Sequence, residues 1–254
     1  MPTLMVNGRR VTVDSDATLL DAARAAGVEV PTLCQFDGLQ PWGGCRLCVV
    51  DMSQANWDDD WFKVVTACNH PVDEGMTIIT DSERIIETRR VVLDLLLARC
   101  PDTPLIQRLA LEYGIEQTSY TPNPEPDDCI LCGLCTRVCD HLGVSAISSI
   151  NRGWGREIAP PFNEPPPDCI GCLACAEICP TDCIPFETSN VRRKIWGKEF
   201  EMLRDPKTGE AVITKEQAEH FADRSGVPMT YFETSDRSKR RELTKTFEKL
   251  QVVK

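Results

Sequence analysis

The chain has 254 residues, with 39 acidic against 28 basic side chains and a formal net charge of −11, a balance that argues against nucleic acid as a partner. Its fourteen cysteines far exceed ordinary usage, and the length suits roughly two to three small domains. Met1-Pro2-Thr3-Leu4-Met5-Val6 lacks a basic stretch followed by an apolar one, and the most apolar segment, 91–98, is short and broken by Asp94, so neither a signal peptide nor direct membrane insertion is expected. A cytoplasmic, reducing setting is the expectation, with thiols used for metal rather than for disulfides.

Residues 2–13 alternate through Leu4, Val6, Val11 and Val13 around Asn7-Gly8, which predicts a two-strand hairpin with a type I′ turn. Asp14 to Asp16 offer turn or cap residues. Residues 18–26 carry Leu19, Leu20, Ala22, Ala23 and Ala26 at helical spacing, ended by Gly27. A hairpin followed by a helix opens a β-grasp domain. Cys34, Cys45, Cys48 and Cys68 come next, spaced C-x10-C-x2-C-x19-C. The plant-type [2Fe–2S] spacing is C-x4-C-x2-C…C; the first gap is longer here, and Pro41-Trp42-Gly43-Gly44 fills it as a loop. Glycines beside Cys45 let backbone N–H groups approach cluster sulfurs. A zinc knuckle is the competing use, and the hairpin–helix context favours a ferredoxin. Residues 51–63 read as an acidic, Trp-rich insertion between strands, 64–67 as a strand leading to Cys68, and 76–80 as the last strand. Residues 1–82 form the expected [2Fe–2S] domain.

Residues 83–124 are expected to be a helical linker: an apolar helix over 85–98, then Cys100, then a second helix over 105–113 stopped by Gly114. Residues 118–128, with Pro122, Pro124 and Pro126, read as an extended connection. Two cysteine runs follow, Cys129, Cys132, Cys135, Cys139 and Cys169, Cys172, Cys175, Cys179, each spaced C-x2-C-x2-C-x3-C, the second ending in Pro180. In bacterial ferredoxins the fourth Cys of such a run ligates the other cluster. The spacing therefore assigns one [4Fe–4S] cluster to Cys129, Cys132, Cys135 and Cys179, and a second to Cys139, Cys169, Cys172 and Cys175. Three thiolates at two-residue intervals wrap three corners of a cubane, and the other run supplies the fourth. Zinc has no tetrahedral role for the third Cys of each run. Residues 125–190 are the expected two-cluster ferredoxin domain. Between the runs, 147–158 predicts a hairpin around Asn151-Arg152-Gly153. Trp154 reads as a packing residue, Cys183 as a small hydrophobe beside a cluster, and His141 as a donor near a ligand rather than a ligand. His70 and His220 carry no motif.

From residue 191 the chain is charged and Cys-free. Residues 196–203 and 210–212 read as a small sheet. A helix is expected from Thr214 to about Arg224, stopping at Gly226, and another over 236–250. Asp205-Pro206-Lys207-Thr208-Gly209 and Ser235-Asp236-Arg237-Ser238 have the frame of a zinc ribbon, C-P-x-C-G…C-x2-C, with no cysteine in it. Residues 191–254 are expected to be a metal-free C-terminal extension, small α+β or helical, read as a surface-docking tail with a degenerate zinc-ribbon-like module as the alternative to chance spacing.

The order of hairpin, helix, Pro31-Thr32-Leu33-Cys34, Gly44-Cys45-Arg46-Leu47-Cys48, Ala67-Cys68, apolar helix and double cysteine run resembles the N-terminal iron–sulfur region of the complex I 75-kDa-type subunit. It is similar also to the diaphorase iron–sulfur subunits of NAD-linked hydrogenases and formate dehydrogenases. The resemblance covers residues 1 to about 190. In that family the region relays electrons between a flavin subunit and a deeper catalytic site. The family's cluster held by one His and three Cys is absent: Cys100 stands at the His position, and Pro104 and Gln107 at the next two Cys positions. The overall expectation is an α+β chain with one [2Fe–2S] and two [4Fe–4S] clusters. It implies an electron-transfer subunit with no catalytic site of its own, partnered by a flavin/NAD(P)H-binding subunit and a catalytic subunit of hydrogenase or formate dehydrogenase type. The alternatives are the iron–sulfur subunit of a quinone-linked membrane dehydrogenase and a redox-sensing iron–sulfur protein. The chain has no Gly-rich dinucleotide fingerprint of its own.

Overall fold

The computed structural model describes residues 1–58 and 61–251; Asp59 and Asp60 of the acidic insertion and residues 252–254 lie outside the described residues. The architecture is mixed α+β, in two compact units. One comprises Met1–Leu134 with Pro180–Cys183, and the other Cys135–Cys179 with the chain from Ile184 onward.

The first unit begins with β1 (Thr3–Val6) and β2 (Arg9–Thr12), joined by Asn7 at φ 46° and Gly8 at φ 79°, the two left-handed residues a type I′ turn requires. Helix α1 (Leu19–Ala25) starts at a capping box: the Thr18 hydroxyl accepts from the Asp21 N–H, and the Asp21 carboxylate accepts from the Thr18 N–H at 2.9 Å. Thr18 caps here rather than Asp14 or Asp16, because its hydroxyl lies three residues before the carboxylate. Strands β3 (Val49–Ser53), β4 (Lys63–Thr66) and β5 (Thr77–Ile79) complete a sheet ordered β2-β1-β5-β3-β4, with β1 and β5 parallel and the other pairs antiparallel. Leu4, Val6, Leu19, Leu20, Met52 and Ile78 close one core with α1 against the sheet, and Cys48 and Cys68 lie in that same core.

Helix α2 (Glu83–Arg99) is capped by Ser82 and pinned to β3 at Asp51, which accepts from the Ser82 hydroxyl at 2.6 Å and pairs with Arg84. One turn on, buried Arg89 donates to the Val49 carbonyl at 2.7 Å. Helix α3 (Pro104–Glu112) packs beside α2 and stops at Gly114, φ 75°. No helix among the described residues is long and apolar enough to cross a membrane.

The second unit holds most of α4 (Leu134–His141), the hairpin β6 (Ser148–Ile150) and β7 (Glu157–Ala159), and the short α5 (Ala174–Glu177). A four-stranded antiparallel sheet follows, ordered β11-β10-β9-β8, from β8 (Phe186–Thr188), β9 (Arg192–Ile195), β10 (Lys198–Arg204) and β11 (Ala211–Thr214). Helices α6 (Lys215–Ser225), α7 (Met229–Phe232) and α8 (Asp236–Gln251) end the chain, with Thr214 capping α6 and Gly226 closing it at φ 70°. The sequence starts a strand at Trp196; the structure starts it at Lys198. Ile195 pairs with Lys198, so Trp196 and Gly197, at φ 53° and 74°, become the turn.

Candidate metal centres

The first group of cysteines converges on one side of the β-grasp core. Cys34 follows α1, Cys45 and Cys48 lie in the loop entering β3, and Cys68 follows β4. Cys34, Cys48 and Cys68 are buried and Cys45 is half-buried. The thiols bond to one another, Cys45 and Cys68 donating to Cys34 and Cys68 also to Cys48. The Cys45 N–H reaches the Cys34 sulfur at 3.4 Å, and backbone N–H groups of Leu33, Leu47, Ala67 and Cys68 point at the other sulfurs. The received bonds hold the Cys34 thiol well below the usual range and bring Cys48 to about 7, whereas Cys45 and Cys68, as donors under burial, are pushed up. Four crowded sulfurs thus cannot all ionise alone; a cationic metal centre that takes four thiolates removes the conflict. The N–H donors and apolar walls fit an iron–sulfur group.

Trp42 crosses from this loop to the next cysteine group. A Cβ on Gly44, beside Cys45, would stand 2.3 Å from its ring, and one on Gly133, beside Cys132, would stand 2.8 Å from the same ring. The indole is therefore packed against the loops of both groups, where a Cβ would force it to shift.

The two cysteine runs share one backbone wrap. Positive φ occurs two and four residues after the first Cys in each: Leu131 (52°) and Gly133 (69°), then Gly171 (67°) and Leu173 (65°). Leucine is costly in this region, and the repeat of that strain marks both loops as built for one purpose. Of the first assigned set, Cys129 and Cys132 belong to the first unit and Cys135 and Cys179 to the second. Arg99 at the end of α2 donates to the Cys129 carbonyl at 2.7 Å. The Cys183 thiol donates to the Cys129 sulfur and draws it down to about 7, a polar contact that the packing role read from sequence omits. Cys100 is fully buried, and burial pushes its thiol up to about 12.

The second assigned set lies wholly in the second unit. Cys139, Cys169, Cys172 and Cys175 line a single pocket with Ala146, Ile147, Ile170, Ile195 and Trp196. The Ala146 N–H donates to the Cys139 sulfur at 3.3 Å, and the Trp196 indole N–H to the Cys175 sulfur at 3.5 Å. Burial raises the thiols of Cys139 and Cys169, and that of Cys175 to about 11 against the pull of the indole. An apolar pocket with four sulfurs and inward N–H donors fits a cluster that neutralises its thiolates. The cysteine loop is gripped by the sheet after it. Thr214 donates to the Ile170 carbonyl at 2.5 Å, Arg193 to Gly171 at 2.8 Å, and Lys198 to Pro167 and Cys169 at 2.6 and 2.7 Å. Sequence reasoning missed these residues. The one signal available was Trp-Gly where a hairpin turn ordinarily takes Asn-Gly.

The ribbon frame also assembles. Asp205 is buried and accepts at one oxygen from the N–H groups of Lys207 (2.7 Å) and Thr208 (3.3 Å). At the other it accepts from the Ser235 N–H (2.8 Å) and hydroxyl (2.5 Å). Ser238 donates to it as well, and its own N–H reaches the Ser235 hydroxyl at 3.3 Å. These donors hold the Asp205 carboxyl well below the usual carboxylate range.

Residues 1–83 match the family described as a 2Fe-2S iron-sulfur cluster binding domain. The chain is similar to the NADPH-Fe(3+) oxidoreductase subunit alpha of Geobacter sulfurreducens, 31% identical over 60% of this chain and 20% of the relative. It is similar to the NADH-ubiquinone oxidoreductase 78 kDa subunit, mitochondrial, of Candida albicans, 38% identical over 58% of this chain and 23% of the relative. Among solved structures, a chain of an NAD+-reducing [NiFe]-hydrogenase in the H2-reduced state matches with a TM-score of 0.54 and 28% identity, over 63% of this chain and 75% of that one. The chain spans about a fifth to a quarter of the length of these two curated relatives.

Proposed function

We propose that this chain is an iron–sulfur relay, passing single electrons between a flavin subunit that handles NAD(P)H and a catalytic subunit of hydrogenase or formate dehydrogenase type. In this reading Cys34, Cys45, Cys48 and Cys68 hold the [2Fe–2S] cluster. One [4Fe–4S] cluster belongs to Cys129, Cys132, Cys135 and Cys179, the other to Cys139, Cys169, Cys172 and Cys175. Clusters bound at these sites supply one-electron couples. The observation that carries the relay is Trp42, whose ring is packed on the loops of two successive cysteine groups. Separate redox centres need no shared side chain; consecutive stations of a wire gain a short packed path from one.

The chain's own residues do the rest. Backbone N–H groups at Cys45 and Ala146 stabilise negative sulfur. Leu33, Leu47 and Ile170 exclude water. Residues 83–124 tie the first domain to the first cysteine run through Arg99 and through Thr103, which donates to Asp128 at 2.6 Å. In this reading residues 191–251 are a metal-free ribbon-like module in which the Asp205 carboxylate stands at a ligand position and is satisfied by Ser235, Ser238 and backbone N–H groups.

Hydride is a two-electron donor, so a flavin must stand between nicotinamide and one-electron centres. Stopped-flow mixing of the purified chain with NADH tests this. Bleaching of the visible cluster absorption is expected only when a flavoprotein partner is present, and bleaching by NADH in the chain alone would refute it.

A further inference from the structure

We propose that Trp196, Lys198 and Arg193 set the reduction potential of the centre at Cys139, Cys169, Cys172 and Cys175, raising it above what the cysteine loop alone would give. This rests on the four-cysteine reading above.

Three observations converge. The first is the indole N–H, 3.5 Å from the Cys175 sulfur, its ring forming a wall of the pocket. The second is the conformation in which it is held. Trp196 sits at φ 53° in a two-residue turn, a region costly for a bulky side chain and ordinarily filled by Asn, Asp or Gly. Strain kept in a turn that could be built from cheaper residues points to a use for the side chain. The third is the charge around the loop. Lys198 spends its ammonium on two carbonyls of the ligand loop, Pro167 and Cys169, and half-buried Arg193 spends a guanidinium N–H on the Gly171 carbonyl. Two cations thus stand on the backbone that carries the thiolates.

The direction follows from charge. Reduction adds one electron from the flavin-side donor, and no proton or bond moves. The four-thiolate centre becomes one unit more negative. A hydrogen bond to sulfur and two nearby cations stabilise that state more than the oxidised one, so the potential rises. The adjoining sheet then serves as the electrostatic housing of this centre, and residues far from the cysteine motif decide how readily it accepts an electron.

EPR-monitored anaerobic redox titration of the whole cluster-loaded chain tests this. Cys169→Ser identifies which [4Fe–4S] signal belongs to this site. Trp196→Phe, which keeps the ring and removes the N–H, should move that signal to lower potential with iron content and the other signals unchanged. Lys198→Met should do the same, and Lys198→Arg should restore most of the shift. Unchanged potentials in both Trp196→Phe and Lys198→Met would overturn the proposal. Loss of the cluster in Trp196→Phe would also overturn it, because the residue would then hold the site rather than tune it. If Cys169→Ser removes no [4Fe–4S] signal, the ligand reading fails instead.

Discussion

The sulfur group in the β-grasp domain and the one in the second unit solve the same problem by different means. At the first, the stretch from Cys34 to Cys68 supplies four thiols that bond to one another and the backbone N–H groups that meet them, set on a core shared with α1 and the sheet. At the second, the cysteine segment brings sulfurs and little else. Its carbonyls are held by Thr214, Arg193 and Lys198, its Gly171 lies under Phe200, and one sulfur is met by Trp196. The first is a self-contained cradle; the second is assembled from distant parts of the chain. A self-contained site should fail only through its own residues, whereas an assembled one should fail from a distance.

On the proposed three-cluster reading, the largest effects are expected at the assigned cysteines. Cys48→Ser should lower iron from about ten to about eight atoms per chain, and Cys169→Ser from about ten to about six, each sparing the other site. Iron and sulfide analysis with EPR reads both. A simultaneous loss of both centres in either variant would erase the contrast.

Phe200→Ala comes next and probes the assembled site from a distance. Phe200 is 2% exposed and its ring lies against Gly171, where a Cβ would meet it at 2.8 Å. Truncation should cost about 3–5 kcal/mol of local stability. On heating, the [4Fe–4S] absorption should bleach at lower temperature while the [2Fe–2S] circular dichroism persists. Equal loss of both would mean that the sheet supports the whole chain alike.

Asp205 gives a smaller effect with a defined pH sign. Ser235 and Ser238 hydroxyls, then backbone N–H groups, hold its folded-state pKa below the unfolded value of about 3.9. A depressed carboxyl contributes stability that is present above that value and lost as pH falls through the folded one. Asp205→Asn lacks the contribution at every pH. The gap in denaturation midpoint between wild type and Asp205→Asn should therefore be constant from pH 8 to about 5 and narrow only below about pH 4. A gap that narrows near neutrality would contradict a buried Asp205 held ionised by Ser235 and Ser238.

What could be read from sequence follows the same division. The β-grasp opening was legible because Asn7-Gly8, the helical spacing of Leu19, Leu20, Ala22 and Ala23 and the stop at Gly27 are local signals; the cap was not, since Asp14 to Asp16 offered side chains as suitable as that of Thr18. The β1–β5 parallel pairing was not, since nothing nearby in sequence fixes it. The residues that the spacing singled out, Asp205, Thr208, Ser235 and Ser238, do lie together, because the Asp205 carboxylate accepts N–H bonds there as a thiolate would. Strands β8 and β9 were missed because Arg192-Arg193-Lys194 shows no apolar alternation; the strand faces a cysteine loop with cations instead of a core. The sequence starts a strand at Trp196; the structure puts it in the turn before β10, where its indole N–H lies 3.5 Å from the Cys175 sulfur.

The smallest expected effect on stability bears on the link between the cysteine groups. Gly44 has no positive φ, so alanine there strains no backbone, yet its Cβ would fall 2.3 Å from the Trp42 ring. Trp42 is 40% exposed, so its side chain can yield toward solvent rather than disrupt the core. Gly44→Ala should therefore change stability by about 1 kcal/mol or less and leave the [2Fe–2S] circular dichroism intact. It should nonetheless lift the indole from Gly133 and open the packed path toward the Cys132 loop. Flash reduction of the loaded chain should then show slower equilibration between the [2Fe–2S] and [4Fe–4S] signals, with midpoint potentials unmoved. An unchanged rate, with tryptophan fluorescence showing that the ring has moved, would remove Trp42 from the relay and leave it a packing residue of the first unit.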